Sequence, residues 1–336
     1  MFHERDELRR RWLNRVLPTA AFDMVPASED ASFRRYFRVR YASASHIVMD
    51  APPIQEDCGP FVKIAGALDA LGLHVPRVLA ANLEQGFLLL TDLGDRQYLT
   101  ELSNSNAHWL YSDALDALLR LQIGGDPATA LLPSYDHALL HREMELFRVW
   151  FLEKHSELAL TEEENRVLGA TFDILSKNAL GQPRVWVHRD YHSRNLMITE
   201  SANPGVLDFQ DAVIGPVTYD LVSLLRDCYV AWTREQVEAW ALGYFEQLHN
   251  LRLAGLGDEA QFLRWFDLMG VQRHLKAIGI FARLRIRDGK PGYLKDIPRT
   301  LGYVLEVAAL YPELSQLSDL LQERVTPVLQ GAEAEA

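Results

Sequence analysis

The stretch 185–211 constrains the fold of the chain most, because it alternates short apolar runs with polar side chains. One apolar run leads to His188, and Asp190 follows shortly after it. A second run begins just beyond Asn195, and a third, after a polar turn, leads to Asp208. The pattern predicts short strands, with each polar side chain standing where a strand ends.

Phosphoryl transfer from a nucleotide needs these side-chain types in this order. A carboxylate takes the proton of the acceptor hydroxyl, while an amide and a second carboxylate hold Mg²⁺ over the phosphates. The run H-x-D-x-x-x-x-N, followed on the next strand by Asp208, matches that requirement. Taken separately, each element of this pattern has an alternative interpretation. H-x-D could belong to a metal hydrolase, and the polar residues could be incidental ends of buried strands. The joint spacing favours a kinase-type site.

The segment resembles the catalytic loop and metal-binding strand of aminoglycoside and choline phosphotransferases, small-molecule kinases built like protein kinases. The run G-P-V-T-Y-D-L at 215–221 is similar to the segment that opens the next helix in that family. The resemblance implies that Asp190 is the catalytic base, that Asn195 and Asp208 bind Mg²⁺, and that ATP is the phosphate donor. We expect His188 to brace the loop by hydrogen bonding, with a charge-relay role as the alternative, and Asp220 to anchor the same loop rather than react.

The same resemblance implies an α+β, two-lobed, protein-kinase-like fold. Its parts would be a small five-stranded antiparallel N-lobe, a hinge, a mainly helical C-lobe and a disordered acidic tail, at 1–91, 92–95, 96–330 and 331–336. The apolar patterns predict strands at 22–26, 33–41, 46–50, 75–81 and 86–91. They predict helices at 4–17, 59–71, 106–122, 136–155, 161–179, 216–228, 233–249, 258–285, 292–310 and 313–328.

Two features of the N-lobe depart from the usual kinase pattern. The turn at 28–32 has no glycine, and strand three reads I-V-M-D without the lysine that binds the α- and β-phosphates. Arg34 and Arg35, with Ser32, are therefore the candidates for binding the nucleotide; the alternative for the arginines is a charged, solvated strand edge. Adjacent strand residues point to opposite faces, so at most one arginine should face the nucleotide.

The runs S-F-R-R-Y-F-R-V and V-M-D-A-P-P extend the resemblance. They are similar to those of the anomeric sugar kinases that phosphorylate N-acetylmuramate and N-acetylglucosamine in bacterial cell-wall recycling. By position, the hinge residues that bind adenine would be Thr91, Asp92 and Leu93. Sugar contacts are expected among Arg142, Glu145, Tyr191, His192, Gln210, Tyr219 and Arg283. Of these, Arg283 could meet the lactyl carboxylate of N-acetylmuramate.

Composition limits the class of partner. The net charge of −12 disfavours nucleic acid and anionic membranes, which are bound chiefly through Lys and Arg. No apolar run approaches the roughly 20 residues that span a bilayer, and the first residues lack the apolar core of a signal peptide. The two cysteines indicate neither a zinc site nor a disulfide framework. We expect a cytoplasmic monomer that binds ATP and a small amino sugar.

Two other functions remain open from the sequence. One is a different small-molecule kinase, acting on choline, homoserine or an aminoglycoside. The other is a nucleotide-binding pseudokinase that regulates a partner. The absent strand lysine favours the pseudokinase, whereas the complete set of Asp190, Asn195 and Asp208 disfavours it.

Overall fold

The structure is a computed structural model that describes residues 2–29 and 33–334. The chain divides into two compact units. Unit 1 is Met1–Arg120 with Arg194–Asp211, and unit 2 is Leu121–Ser193 with Ala212–Ala336. The segment 185–211 therefore belongs partly to each unit. This division differs from the predicted lobes, because residues 96–120 belong to unit 1 rather than to the helical part.

The elements follow the order that the apolar patterns predict. The strands are β1 (Asp23–Glu29), β2 (Arg35–Tyr41), β3 (Ala44–Asp50), β4 (Val78–Asn82), β5 (Phe87–Thr91), β6 (Arg184–Val187), β7 (Leu196–Met197), β8 (Gly205–Val206) and β9 (Val213–Pro216). The helices are α1 (Phe2–Val16), α2 (Gly59–Ala70), α3 (Tyr98–Glu101), α4 (Ala107–Gly124), α5 (His137–Leu146), α6 (Glu162–Leu180), α7 (Tyr219–Leu225), α8 (Arg234–Asn250), α9 (Glu259–Asp288), α10 (Ile297–Ala308), α11 (Ser315–Leu320) and α12 (Thr326–Ala334).

Unit 1 is organised around an antiparallel sheet of five strands in the order β1-β2-β3-β5-β4. The predicted five-stranded sheet is confirmed, with strand ends displaced by a few residues. The apolar stripe of α1 packs on this sheet, where Trp12 and Leu13 join Val48 and Phe87 in a buried cluster. The short β7–β8 hairpin also belongs to this unit.

Buried charge fixes α1 to the sheet of unit 1. Asp50, at the end of β3, is fully buried and accepts hydrogen bonds from Arg5, Arg9 and Arg35 at 2.6, 2.8 and 2.8 Å. A buried carboxylate needs such compensation, because burial without a partner is costly. The strand position where kinases usually carry lysine therefore holds a structural aspartate here.

Unit 2 is mostly helical and is organised around the long helix α9. Helices α5, α6, α7 and α10 pack against α9. Gly279 permits the closest approach, since a Cβ there would lie 2.3 Å from the backbone of Leu146. The β6–β9 pair lies in the same unit, and β6 leads directly into the catalytic loop.

Several helices differ in detail from the predictions. The helix expected over 136–155 is α-helical only to Leu146 and continues as a π-helix, Phe147–His155. The helix expected from 292 begins as a 3-10 segment, Pro291–Asp296. Helix α12 extends to Ala334, so residues 331–334 are helical where a disordered tail was predicted; residues 335 and 336 lie outside the described part.

Within the described residues, none of the helices has both the length and the apolar character needed to cross a bilayer.

Candidate active site

The catalytic loop leaves β6 in unit 2 and is anchored by Asp220. The buried Asp220 carboxylate, near the start of α7, accepts hydrogen bonds from the backbone N–H groups of His188 (2.6 Å) and Arg189 (2.9 Å). The N–H of Asp190 donates to Nδ1 of His188 at 3.3 Å. These contacts fix the backbone on both sides of Arg189.

A second carboxylate holds the far end of the loop. Asp227 accepts from the backbone N–H of Ser193 at 2.9 Å and from its hydroxyl at 2.5 Å. Both residues are fully buried. Asp227 lies beyond the sequence motif of the loop and was not among the predicted site residues.

Arg189 has a backbone conformation that residues other than glycine rarely adopt, with φ at +79°. Such a position is costly and persists only where surrounding contacts enforce it. The Arg189 side chain supplies one of these contacts, because its guanidinium donates to the buried carboxylate of Glu143 on α5. The ion pair therefore helps hold the residue next to Asp190.

Glu143 is the centre of a buried polar cluster in unit 2. Besides Arg189, it pairs with Nζ of Lys276 at 3.0 Å and accepts a hydrogen bond from the Tyr135 hydroxyl. Lys276 also donates to the Tyr219 hydroxyl at 2.9 Å. Burial favours the protonated form of Glu143, but the charges of Lys276 and Arg189 outweigh it and lower its pKa.

Electrostatics keeps Asp190 in the form that a base requires. Burial alone would raise its pKa, but the positive charges of Lys276, His192 and Arg189 lower the pKa below its ordinary value. Burial has the larger effect at Asp220 and raises its pKa to about 7, although hydrogen bonds from two backbone N–H groups oppose the shift. Asp190 of the loop and Asp220, which anchors the loop from α7, therefore differ in protonation behaviour.

The β7–β8 hairpin of unit 1 brings the predicted metal ligands close. Leu196 pairs with Val206, and beyond this pair the N–H of Leu207 donates to the backbone oxygen of Asn195 at 2.9 Å. Asn195 therefore lies opposite the residue that precedes Asp208.

The side chain of Asp208 is oriented by its neighbours along the chain. Its backbone has φ at +62°, and Nε2 of Gln210 donates to its Oδ1 at 2.7 Å. The next residue, Phe209, packs on Phe61 of α2 with ring centroids 4.8 Å apart. An amide and a carboxylate oxygen form the kind of donor set that Mg²⁺ binds, so Asn195 and Asp208 fit that ion.

The structure distinguishes the two neighbouring arginines of unit 1. Arg34 lies 3.5 Å from Glu56 and 3.9 Å from Asp208. Arg35 instead donates to Asp50, the carboxylate that fixes α1. Arg34 is thus beside a predicted metal ligand, whereas Arg35 pairs with the buried aspartate of β3. Ser32, the third nucleotide-binding prediction of this turn, lies outside the described residues.

The predicted hinge residues have partners within unit 1. The N–H of Thr91 donates to the Arg77 carbonyl at 3.0 Å, and Leu93 is buried. The side chain of Asp92 accepts from Arg38 at 2.7 and 3.0 Å, and these hydrogen bonds help to lower its pKa against the opposing effect of burial. A role for Asp92 in adenine binding would therefore use its backbone.

The predicted sugar-binding residues lie in different environments. Tyr191 and Tyr219 are fully buried, Arg142 is exposed, and Glu145 forms a half-exposed pair with Arg148. The remaining three are half-buried: His192 beside the Tyr229 ring, Gln210 on Asp208, and Arg283 on α9.

Sequence reasoning missed Glu143, although a signal was present. It selected the neighbouring Arg142 and Glu145 as polar residues of the helix. Glu143, by contrast, lies on the same helix face as Leu140 and Phe147, both fully buried. A charged residue on the apolar face of a helix indicates that an oppositely charged partner is buried beside it.

Comparisons with known proteins identify close relatives. A family model described as the phosphotransferase enzyme family matches residues 23–263. The N-acetylmuramate/N-acetylglucosamine kinase of Pseudomonas aeruginosa is 50% identical over 312 residues, covering 93% of this chain and 90% of the relative. The kinase of the same name from Neisseria meningitidis is 44% identical over 324 residues, covering 94% and 95%.

Solved structures share the fold at much lower identity. The choline kinase of Streptococcus pneumoniae has a TM-score of 0.62 at 11% identity, covering 92% of this chain and 100% of its own. A spectinomycin phosphotransferase in complex with ADP and spectinomycin has a TM-score of 0.64 at 12% identity, covering 89% and 98%. These similarities confirm the predicted kinase-like fold.

Proposed function

The chain belongs to the phosphotransferase enzyme family, and we propose that it is a sugar kinase using ATP and Mg²⁺. Its acceptor would be the anomeric hydroxyl of N-acetylmuramate, N-acetylglucosamine or both, and its product the sugar 1-phosphate. The observation that carries this proposal is the 50% identity, over 93% of the chain, to a kinase named for these two sugars. The pathway would be cell-wall recycling, in the cytoplasm, with the protein acting as a monomer.

Asp190 would act as the general base. Its lowered pKa keeps it ionised at neutral pH, and the anchored loop fixes its position. The proton of the acceptor hydroxyl passes to this carboxylate as the oxygen attacks the γ-phosphorus of ATP. The bond between that phosphorus and the β,γ-bridging oxygen breaks, and ADP leaves. An anomeric hydroxyl is more acidic than an ordinary alcohol, which suits a single carboxylate base.

Asn195 and Asp208 would hold Mg²⁺, which supplies charge neutralisation to the phosphates when bound. Gln210 keeps one Asp208 oxygen in a fixed direction through its 2.7 Å hydrogen bond. Arg34 would supply the cation that strand three lacks, with Glu56 in the orienting role that a glutamate of helix αC has in protein kinases. The turn with Ser32 and the hinge residues Thr91, Asp92 and Leu93 would contact the rest of the nucleotide.

Arg283 would distinguish the two sugars by binding the lactyl carboxylate. Its Nε atom is buried and makes no hydrogen bond within the part of the chain that the structure describes. Burial lowers its pKa, as does the nearby charge of Arg287. Lys276, on the same helix, is committed to Glu143 and Tyr219 instead. His192, which is half-buried, would border the sugar from the side of Asp190, whereas the fully buried Tyr219 would support the site through Lys276.

Comparing sugars tests the role of Arg283. We expect Arg283→Ala to raise KM for N-acetylmuramate, which has the carboxylate, while KM for N-acetylglucosamine changes little. Arg287→Ala is the matched control, because Arg287 lies one helical turn away, is exposed and pairs with Asp288. Equal effects of Arg283→Ala on both sugars would contradict the assignment.

An acceptor panel tests the proposed activity itself. ATP consumption would be measured with N-acetylmuramate, N-acetylglucosamine, choline, homoserine and an aminoglycoside, each with Mg²⁺. We expect turnover with one or both amino sugars and background rates with the others. Turnover with choline, homoserine or the aminoglycoside alone would indicate the other kinases of this family. ATP binding without turnover on any acceptor would indicate a pseudokinase.

A further inference from the structure

Two histidines and an aspartate meet on the surface of unit 2, and none of the three has a role in the proposed phosphoryl transfer. His137 and His141 are four residues apart on α5, so they lie on one face of the helix. Asp173 faces them from α6. One ligand atom from each of the three lies within 4.8 Å of the others.

One separation in the cluster matches that of a metal centre, and a second is somewhat longer. Zinc bonds of roughly 2.0–2.1 Å in tetrahedral geometry place neighbouring ligand atoms about 3.3 Å apart. Nε2 of His141 lies 3.2 Å from Oδ1 of Asp173, and Nε2 of His137 lies 3.9 Å from the same oxygen. The second separation would have to shorten by about 0.6 Å for tetrahedral zinc, a movement that the exposed His137 side chain allows.

Nε2 of His141 is shielded from solvent. It forms no hydrogen bond with the described residues, although it lies 3.2 Å from Oδ1 of Asp173. The imidazole ring is held in place, stacked on the His137 ring at 4.2 Å and packed edge-on against Phe172 at 6.1 Å. A buried polar atom left in this state is costly unless something binds it.

We propose that His137, His141 and Asp173 bind a late first-row transition-metal ion, Zn²⁺ by preference, that links α5 to α6. Imidazole suits such ions, whereas Mg²⁺ prefers oxygen ligands alone, so this site is distinct from the one at Asn195 and Asp208. Three protein ligands leave the fourth tetrahedral position to water. Because α5 also carries Glu143, the ion would stiffen the helix that supports the catalytic loop.

Zinc binding to the full chain, without an affinity tag, tests the site. Isothermal titration would use Zn²⁺ in the presence of excess Mg²⁺, which occupies oxygen-rich sites. We expect one Zn²⁺ per chain and a higher melting temperature with Zn²⁺ bound. His141→Ala should weaken binding at least about tenfold, because even the loss of a residue that only orients a metal ligand costs roughly 10–100-fold. Asp173→Asn should weaken it as well.

A matched control separates this site from scattered surface histidines. His249, an exposed histidine near the end of α8, should be replaceable by alanine without changing zinc affinity. Substituting Co²⁺ should give visible absorption typical of four-coordinate cobalt, and His137→Ala should abolish it. Zinc affinity unchanged in the His137→Ala/His141→Ala double variant, or no tight site in the original chain, would overturn the proposal. Neither result bears on the proposed kinase activity.

Discussion

The loop that carries Asp190 and the hairpin that carries Asn195 and Asp208 are neighbours in sequence but are built differently. The loop, in unit 2, is fixed by backbone hydrogen bonds to Asp220 at 2.6 and 2.9 Å and by the buried ion pairs of Glu143. The hairpin, in unit 1, places the half-exposed Asp208 among polar contacts instead: Gln210 donates to it at 2.7 Å, and Arg34 lies 3.9 Å from it and 3.5 Å from Glu56.

This difference indicates a division of labour. The base is held in position and in charge state by the protein itself. Around the hairpin, Asp208, Arg34 and Glu56 bring charges of both signs close together, where Mg²⁺ and phosphates are proposed to bind. Changes in the loop and its supports should therefore affect chemistry and stability, whereas changes around Arg34 and Asp208 should affect nucleotide binding.

The largest expected effect separates the two regions directly. Asp190→Asn should lower kcat by ~10²–10⁴-fold, the range for loss of a positioned general base, and leave ATP affinity nearly intact. Asp208→Ala should instead abolish Mg²⁺-dependent nucleotide binding. Steady-state kinetics and nucleotide titration of both variants provide the comparison. Near-normal turnover of Asp190→Asn would show that another group is the base.

The next effect concerns the support of the loop. Glu143→Gln leaves Lys276 and Arg189 without their buried counter-charge, and breaking such a pair costs ~3–5 kcal/mol. The free energy of unfolding from urea denaturation measures this. Glu145→Gln, on the same helix, breaks only a half-exposed pair with Arg148 and should cost ~0–1 kcal/mol. Similar losses in both variants would mean that the cluster does not stabilise the loop.

The two arginines should differ in what they affect. Arg34→Ala should raise KM for ATP and lower kcat/KM by roughly 10–100-fold, the equivalent of a charged hydrogen bond worth about 1.5–3 kcal/mol. Arg34→Lys should recover only part of this, because lysine lacks the bidentate geometry. Arg35→Ala should leave kinetics unchanged and slightly lower the melting temperature, since Asp50 keeps Arg5 and Arg9. Equal, mild kinetic effects of both alanine variants would place phosphate binding elsewhere.

The smallest effect is a shift in pH dependence. Lys276 helps to lower the pKa of Asp190, so Lys276→Met should raise that pKa. The base is inactive when protonated, and the acid limb of the kcat profile should therefore move to higher pH. Lys177→Met, an exposed lysine on α6, should leave the profile in place. An acid limb that stays fixed, or moves to lower pH, in Lys276→Met would contradict this coupling.

Local patterns predicted much of the fold and the motif of the site, because both are encoded over short distances. The alternation of apolar and polar residues in the first ninety or so residues predicted the five strands. The spacing of Asp190, Asn195 and Asp208 predicted the catalytic and metal-binding residues. The buried ion pairs that hold these elements in place were not predicted, because they join residues far apart in sequence. Glu143 meets Arg189 and Lys276, and Asp50 meets Arg9, only after folding. The apolar spacing over 136–155 likewise predicted a helix but not its change to a π-helix after Leu146.

The position of the transferred phosphate tests the central proposal most directly. N-acetylglucosamine, N-acetylmuramate and the methyl glycoside of each, in which the anomeric oxygen is blocked, would be incubated with the protein, ATP and Mg²⁺. The products would be analysed by phosphorus NMR. We expect a sugar 1-phosphate from whichever free sugar is accepted and no product from the methyl glycoside of that sugar. Phosphorylation of the blocked sugar, or of a hydroxyl other than the anomeric one, would contradict the proposal.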